Sequence, residues 1–238
     1  MFRIEGDYLV VDSDFKPRKV TGRSFVSLVG LNPFQKEGDA LLTMHKLVKE
    51  EVDPKWLKRG DFAEALVKAV YERDGHKCTV YDKKEVNYDN FTEYGNFGGL
   101  IDIELLEEKT LIEVKSKSLD KYDAIKENPP REEVYQGLFY GFLRKYDRIT
   151  MEWVFFDPIT EDEVFKGKKV TTLRYLKKIS KKYDVDKAHM RDMLCLANQI
   201  NKDFEETHKI RLSLVSDKML KQLGLSRPSG FDFSELNF

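Results

Sequence analysis

The spacing of apolar residues predicts most of the helices and strands of this chain. In the first third it predicts one short strand and then three helices, over residues 7–12, 24–30, 37–50 and 54–75. Thr21 or Ser24 can cap the first helix, and Asp53 followed by Pro54 is a sequence that begins a helix. Gly75 is the expected end of that long helix.

Short β-branched and aromatic runs, separated by Asn, Asp, Gly and Lys, occupy residues 77–115 and predict a meandering sheet. Prolines at 129 and 130 then break the chain before residues 131–147, whose apolar positions have helical spacing. A further strand is predicted over residues 149–157. From residue 176 to about 206 the lysine-rich pattern predicts helix, and the chain ends in the aromatic segment FDFSELNF.

With 238 residues, of which 41% are hydrophobic, the chain can bury one sizeable core. The elements predict a mixed α/β fold, with a core and N-terminal helical segment over residues 1–175 and a helical C-terminal extension of the same domain over 176–238. The opening MFRIEGDYLVVD has no basic region followed by an apolar one, and no apolar run approaches about 18 residues. We therefore expect a cytoplasmic protein with no membrane partner.

Whole-chain charge adds little, because 41 basic residues nearly cancel 42 acidic ones. A DNA-binding surface would have to come from local clustering. Seven lysines suit either a phosphate backbone or a solvated helix face, at positions 166, 168, 169, 177, 178, 181 and 182. Cys78 and Cys195 lie far apart without CxxC spacing, which excludes a zinc site or an iron–sulfur cluster built from cysteine.

Two segments carry the candidate chemistry, GGLID ending at Asp102 and IEVK ending at Lys115. In a strand, side chains two residues apart point to one face, so Glu113 and Lys115 lie side by side. If the hairpin turns at residues 107 and 108, Asp102 lies directly opposite Glu113, with Cβ atoms about 5 Å apart.

Two carboxylates at that distance repel unless a cation lies between them, and oxygen-rich sites of this kind suit magnesium or manganese. Beside the cation, Lys115 would orient or deprotonate a water, or stabilise the charge that develops on a phosphate. That is the chemistry of phosphodiester hydrolysis. The alternative is that Asp102, Glu113 and Lys115 form the solvent face of an amphipathic hairpin.

Four ordered motifs resemble those of the PD-(D/E)XK nucleases: WLKRGDFAE at 56–64, GGLID, EVK and QGLFY at 136–140. The resemblance is to the branch that holds the RecB nuclease domain, YqaJ-type viral recombinases and phage lambda exonuclease, and it covers roughly residues 16–157. It implies a restriction-endonuclease-like core with a central mixed sheet flanked by helices. The proline of the family's name is absent before Asp102, and the four cysteines of the iron–sulfur members are missing, so that cluster is excluded.

The resemblance also implies roles for single residues. Asp102 and Glu113, with the backbone carbonyl of Val114, would bind a first metal ion. Glu64 is the additional carboxylate and would help to bind a second ion. Lys115 would be the catalytic lysine.

Gln136 would touch the metal-site carboxylates or a substrate phosphate, and Tyr140, four residues on and on the same helical face, would support DNA or the active-site wall. Arg59, within the first motif, is a further candidate for substrate contact. The segment KPRKVTGRSFVSLVGLNPF is similar to the N-terminal segment of phage and RecB-type exonucleases, which holds a terminal phosphate; the candidates are Arg18, Thr21, Arg23 and Ser24. A basic turn that caps a helix explains the same residues.

The predicted function is therefore a magnesium-dependent DNA exonuclease, with manganese able to substitute, of phage type and active in recombination or end processing. One alternative is an endonuclease of the same fold. The other is a catalytically inactive nucleic-acid-binding protein. The expected partners are DNA, further copies of the chain in a ring-shaped homo-oligomer, and a recombination protein, in the host cytoplasm if the chain is viral.

Overall fold

The computed structural model describes residues 1–49, 53–81, 96–157, 163–165, 168–170 and 174–228. The strands of these residues are β1 (Phe2–Glu5), β2 (Tyr8–Val11), β3 (Ile103–Leu105), β4 (Thr110–Ser118), β5 (Arg148–Phe156), β6 (Glu163–Phe165), β7 (Lys168–Val170), β8 (Tyr175–Asp184) and β9 (Lys209–Arg211). The helices are α1 (Gly22–Leu28), α2 (Glu37–Met44), α3 (Pro54–Arg73), α4 (Tyr122–Glu127), α5 (Arg131–Leu143), α6 (Lys187–Thr207) and α7 (Asp217–Gln222). None of the helices in these ranges combines the length and apolar character of a membrane span.

The central sheet has four strands in the order β3-β4-β5-β8. Strands β4 and β5 are parallel, and the two outer pairings are antiparallel. Parallel neighbours need a crossover connection, which here includes α5. The predicted mixed α/β fold, a central mixed sheet flanked by helices, is confirmed.

Alternate residues of β4 and β5 enter different hydrophobic cores, because successive side chains of a strand point to opposite faces. On one face Leu111 and Met151 pack with residues of α1, α5 and α6. On the other face Ile112 and Val154 pack with Ala63 and other residues of α3. Helices α5 and α3 therefore lie on opposite faces of the sheet, and β4 runs between them.

The predicted N-terminal caps of helices α1 and α3 are confirmed, and each helix begins at a cap that the local sequence supplies. Asp53 caps α3 by accepting a hydrogen bond from the backbone amide of Lys55 at 2.9 Å, with Pro54 in the first turn. Thr21 is the N-cap of α1 and forms a capping box with Ser24. Both caps satisfy amides that have no partner within the first turn of a helix.

The prediction of helix from residue 176 is wrong for its first part. Residues 175–184 form β8, which pairs with β5 along its length, and helix begins only at Lys187 after the Asp186 cap. Burial along β8 largely alternates, with Ile179 its most buried residue. The hydrogen bonds that make this segment a strand come from β5, and lysine-rich edge strands are common because charge discourages pairing with other chains.

Four other expectations need adjustment or lie, in whole or in part, beyond the described ranges. Helix α2 ends at Met44 and not at residue 50, since Lys46 takes a left-handed conformation with φ 57°. The predicted strand 7–12 exists as β2, but its neighbours β1 and β9 were not predicted. Of the meandering sheet, Thr79 forms one bridge to Glu104, and residues 82–95 lie outside the described residues. The tail FDFSELNF also lies outside them.

Candidate active site

The β3–β4 hairpin sets the position of the candidate carboxylates. Ile103 pairs with Ile112 at the end of the ladder, and one further step of that register places Asp102 opposite Glu113. The turn lies between the strands, where Lys109 has a φ of 48°. Asp102 Oδ2 accepts a hydrogen bond of 2.8 Å from the backbone amide of Val114, so its carboxylate closes the open end of the hairpin.

Glu113 and Lys115 share one face of β4, as the alternation of a strand requires. The Lys115 ammonium donates hydrogen bonds to Glu113 Oε1 at 2.8 Å and to Gln136 Oε1 at 3.1 Å. Glu113 is 1% exposed, yet its other oxygen, Oε2, has no hydrogen-bond partner among the described residues. A buried carboxylate oxygen without a partner is unfavourable, so this oxygen is the observation that best fits cation binding by Glu113.

The electrostatics of this pair are strongly perturbed. Burial raises the pKa of Glu113, Lys115 opposes that rise, and Glu64 and Glu133 add to it. Burial alone would lower the pKa of Lys115, but the carboxylates of Glu113 and Asp102 outweigh burial and raise it. Lys115 is therefore an ammonium group at neutral pH, suited to donating hydrogen bonds to anionic oxygens.

Tyr140 contacts three segments of the site, at Gly22, Gly99 and Gln136. Its hydroxyl is hydrogen bonded to the side chain of Gln136 and to the backbone of Gly22, and burial raises its pKa. A Cβ added at Gly99 would lie 2.4 Å from Tyr140 Cε1, and one at Gly22 would lie 2.9 Å from Tyr140 Cζ. The backbone at both glycines thus approaches the ring closely, and through Gly99 the GGLID motif packs against Tyr140 of the QGLFY motif.

The proposed phosphate-binding residues occupy different surroundings. The amide of Thr21 donates to Ser24 Oγ at 2.9 Å, so both hydroxyl residues serve the α1 cap. Arg23 is exposed on the first turn of α1. Burial is the main cause that lowers the pKa of His45, and Arg18 lies close enough to contribute to it. The structure brings Thr21 and Ser24 near Tyr140 through Gly22, and their contact with substrate stays a prediction.

Arg59 connects α3 to the end of β4 through hydrogen bonds. Its guanidinium donates to Ser116 Oγ at 3.2 Å, to the Ser116 carbonyl at 3.1 Å and to Ser118 Oγ at 3.1 Å. Its Cζ also lies 4.4 Å from the centre of the Trp56 ring, which is 47% exposed. The described contacts of Arg59 are structural, and a role for it in substrate binding stays a prediction.

One group beside this site was missed by the sequence reasoning. Lys117 forms an ion pair with Glu133 Oε1, and the buried Trp153 donates its indole N–H to Glu133 Oε2 at 2.8 Å. Lys117 follows Lys115 by two residues, and Glu133 precedes Gln136 by three. The periodicities that place Lys115 and Gln136 would have placed these two as well.

The described residues contain no group of three or more His, Cys, Asp and Glu side chains placed to hold a metal ion. What they offer is two carboxylates, Asp102 and Glu113, adjacent across a hairpin, with one oxygen buried and unpaired. Magnesium is commonly held by one or two carboxylates, with waters and substrate phosphates as its other ligands. The residues present therefore fit such an ion, whereas Val114 and Glu64 as ligands stay predictions.

No protein-family model matches the chain. In sequence it is similar to the uncharacterized protein MG373 of Mycoplasma genitalium, with 28% identity over 113 residues, which are 43% of this chain and 40% of that protein. The homolog of MG373 in Mycoplasma pneumoniae is 27% identical over 113 residues. The match thus spans 40% of the length of these relatives.

Solved structures of exonucleases have the same fold. The phage-related exonuclease from Haemophilus somnus 129PT matches with a TM-score of 0.56 at 15% identity, over 80% of this chain and 95% of that one. The alkaline exonuclease from Laribacter hongkongensis matches with a TM-score of 0.52 at 14% identity, over 80% and 89% of the two chains. Its complex with dAMP matches with a TM-score of 0.54. At these identities the likeness establishes the fold.

Proposed function

We propose that this protein is a metal-dependent deoxyribonuclease that degrades DNA from its ends. The observation that carries the proposal is the buried, unpaired Oε2 of Glu113, opposite Asp102 and beside the ammonium of Lys115. Exonuclease structures with the same fold support it, one of them with bound dAMP. Magnesium as the ion and a phage-type role in recombination or end processing are parts of the proposal.

A divalent ion held by Asp102 and Glu113 would lower the pKa of a bound water and neutralise phosphate oxygens. In the hydrolysis the water oxygen forms a bond to phosphorus and the bond from phosphorus to the leaving sugar oxygen breaks. The water loses a proton, and the leaving oxygen gains one. Lys115, a protonated donor oriented by Gln136, faces the negative charge that develops on the phosphate.

A catalytically inactive binding protein is the weaker candidate. Burying Glu113 with an unpaired oxygen costs stability and brings nothing to a fold that only holds nucleic acid. An endonuclease would use the same residues, so substrate topology has to separate the two nuclease classes. We favour the exonuclease because the solved structures reported above are named as exonucleases.

The test compares end-labelled linear duplex with closed circular DNA, each with magnesium, manganese or EDTA. We expect the wild-type chain to degrade the linear substrate only, and only with a divalent ion. Asp102→Asn, Glu113→Gln and Lys115→Ala should each lose this activity, whereas Lys218→Ala, an exposed change on α7, should keep it. Cleavage of the closed circle would favour the endonuclease, and normal digestion by Lys115→Ala would refute the assignment.

A second measurement detects binding of the ion through the thermal stability of the chain, independently of catalysis. A ligand that binds only the folded chain raises the free energy of unfolding. Once the ligand concentration exceeds Kd, this increase grows with the logarithm of the ratio of concentration to Kd. We therefore expect magnesium to raise the melting temperature of the wild-type chain and not that of Glu113→Gln. Equal shifts in both would place the ion elsewhere. Gel filtration of the same samples tests the predicted homo-oligomer.

A further inference from the structure

Helix α5 contacts strand β4 at two successive levels. At the first level Gln136 accepts a hydrogen bond from Lys115, and at the second Glu133 pairs with Lys117. Lys115 and Lys117 lie on the same face of β4 because they are two residues apart, and residues three apart on a helix are neighbours. The site therefore contains two lysines on one face of β4, and a residue of α5 orients each of them.

Glu133 is held too firmly to be an incidental surface partner. Its Oε2 accepts the indole N–H of Trp153 at 2.8 Å, and Trp153 is 0% exposed. A buried indole N–H needs an acceptor, so this bond fixes the carboxylate. Trp153 pairs with Lys115 across the β4–β5 register, which ties both levels to the same strand. Lys117 is thus oriented by a carboxylate that cannot easily turn away.

Lys117 has the more exposed side chain of the two lysines. Its side chain is 26% exposed, against 18% for Lys115. An ammonium group has three donors, and the described contacts of Lys117 engage it through Glu133. Alternate residues on a strand are about 6.6 Å apart, which is close to the separation of successive phosphates along one nucleic-acid strand.

We propose that Lys117, positioned by Glu133 and Trp153, binds the phosphate next to the one that is cleaved. The proposal rests on the nuclease function above and deepens it, because a site with this second cation selects a polynucleotide over a small phosphodiester. Such contacts carry no sequence information, so the preference concerns chain length and charge. The position of Lys117 beyond Lys115 on β4 also gives the substrate strand a direction across the sheet.

The experiment compares an oligonucleotide with the 4-nitrophenyl ester of thymidine 5′-phosphate, which contains a single phosphodiester. We expect Lys117→Ala to lower kcat/KM for the oligonucleotide by about tenfold at low salt, the size of one charge-assisted hydrogen bond, and to change kcat/KM for the ester by less than about twofold. The slope of log kcat/KM against log salt should become shallower by about 0.7–0.9, the value of one phosphate contact.

Two variants separate charge from orientation. Lys117→Arg should retain the salt slope, because the charge remains. Glu133→Gln should also retain it while KM for the oligonucleotide rises, because the lysine keeps its charge and loses its anchor. Lys218→Ala, with one charge removed from exposed α7, is the matched control and should leave the slope unchanged.

Two results would overturn this inference and leave the proposed function standing, provided that the wild-type chain cleaves DNA. In the first, Lys117→Ala keeps the wild-type salt slope. In the second, Lys117→Ala loses activity equally on the oligonucleotide and on the ester. Equal loss would mean that the Lys117–Glu133 pair only supports the fold. If the wild-type chain cleaves neither substrate with magnesium or manganese, the proposed function fails and this inference fails with it. Circular dichroism of each variant confirms that the folded chain is being compared.

Discussion

Replacing Gly99 with alanine tests whether Tyr140 locks the GGLID segment against α5. A Cβ at Gly99 would lie 2.4 Å from Cε1 and 3.0 Å from the hydroxyl oxygen of Tyr140. Non-bonded carbons are comfortable at about 3.5–4.0 Å, so either the ring or the segment must move by about 1 Å. Backbone conformation is not the obstacle, since Gly99 is not among the glycines with positive φ.

The ring is also approached closely at a second position. A Cβ at Gly22 would lie 2.9 Å from Tyr140 Cζ, so backbone segments at both glycines restrict the ring. Overpacking of a well-packed core costs about 1–3 kcal/mol, and we expect Gly99→Ala to lower the free energy of unfolding by that amount. In a Tyr140→Leu background the same change should cost less than about 0.5 kcal/mol, because the clashing atoms are gone.

Urea unfolding of the wild-type chain, both single variants and the double variant measures this coupling. Gly60→Ala is the matched control, because it lies within α3 and a Cβ there would meet nothing within 4 Å. Alanine should stabilise that helix by about 0.5–1 kcal/mol. The reasoning is refuted if Gly99→Ala costs the same in the wild-type and Tyr140→Leu backgrounds, since the clash would then involve another group.

Burial lowers the pKa of His45, so the unfolded chain binds its proton more readily. In urea titrations the free energy of unfolding of the wild-type chain minus that of His45→Gln should therefore fall as pH drops below about 6.5, by at most about 1.4 kcal/mol per pH unit, and a difference that is constant with pH would contradict this. Burial and the Glu104 carboxylate raise the pKa of Tyr146 to about 12, and its hydroxyl donates to Glu104 Oε1 at 2.6 Å. Tyr146→Phe should therefore cost about 1.5–3 kcal/mol in urea unfolding, and an unchanged midpoint would contradict this. Arg59→Lys loses the forked contact with β4 and should cost about 1–3 kcal/mol, with the exposed Lys58→Ala as its calorimetric control.

Much of the candidate site was predictable because its order is local. The two-residue period of a strand puts Glu113 and Lys115 on one face, and the hairpin between residues 102 and 113 has one register that keeps its apolar face buried. The helical period likewise aligns Gln136 with Tyr140, and the hydroxyl of Tyr140 is bonded to Gln136. Each of these relations involves residues close in sequence.

For other features the sequence pattern was too weak to decide the secondary structure or the contacts of a side chain. The alternation that makes residues 175–184 a strand is carried by lysines, whose long stems suit strand and helix surfaces equally. The sequence marked Arg59 only as a candidate substrate contact, and gave no sign that its guanidinium donates to Ser116 and Ser118, more than fifty residues away. Such choices depend on which element lies opposite, and no local pattern contains that information.

By itself, the sequence determined the caps of α1 and α3, the faces of β4 and α5, and which side chains are candidates to bind a cation and a phosphate. Only the tertiary structure decided that Glu113 is buried with one oxygen unpaired, that the backbone at Gly99 and Gly22 lies close to Tyr140, and that Glu133 pairs with Lys117. The physical reason is that periodicity and capping act over a few residues. Burial and close contact depend on packing between elements that the chain brings together from far apart.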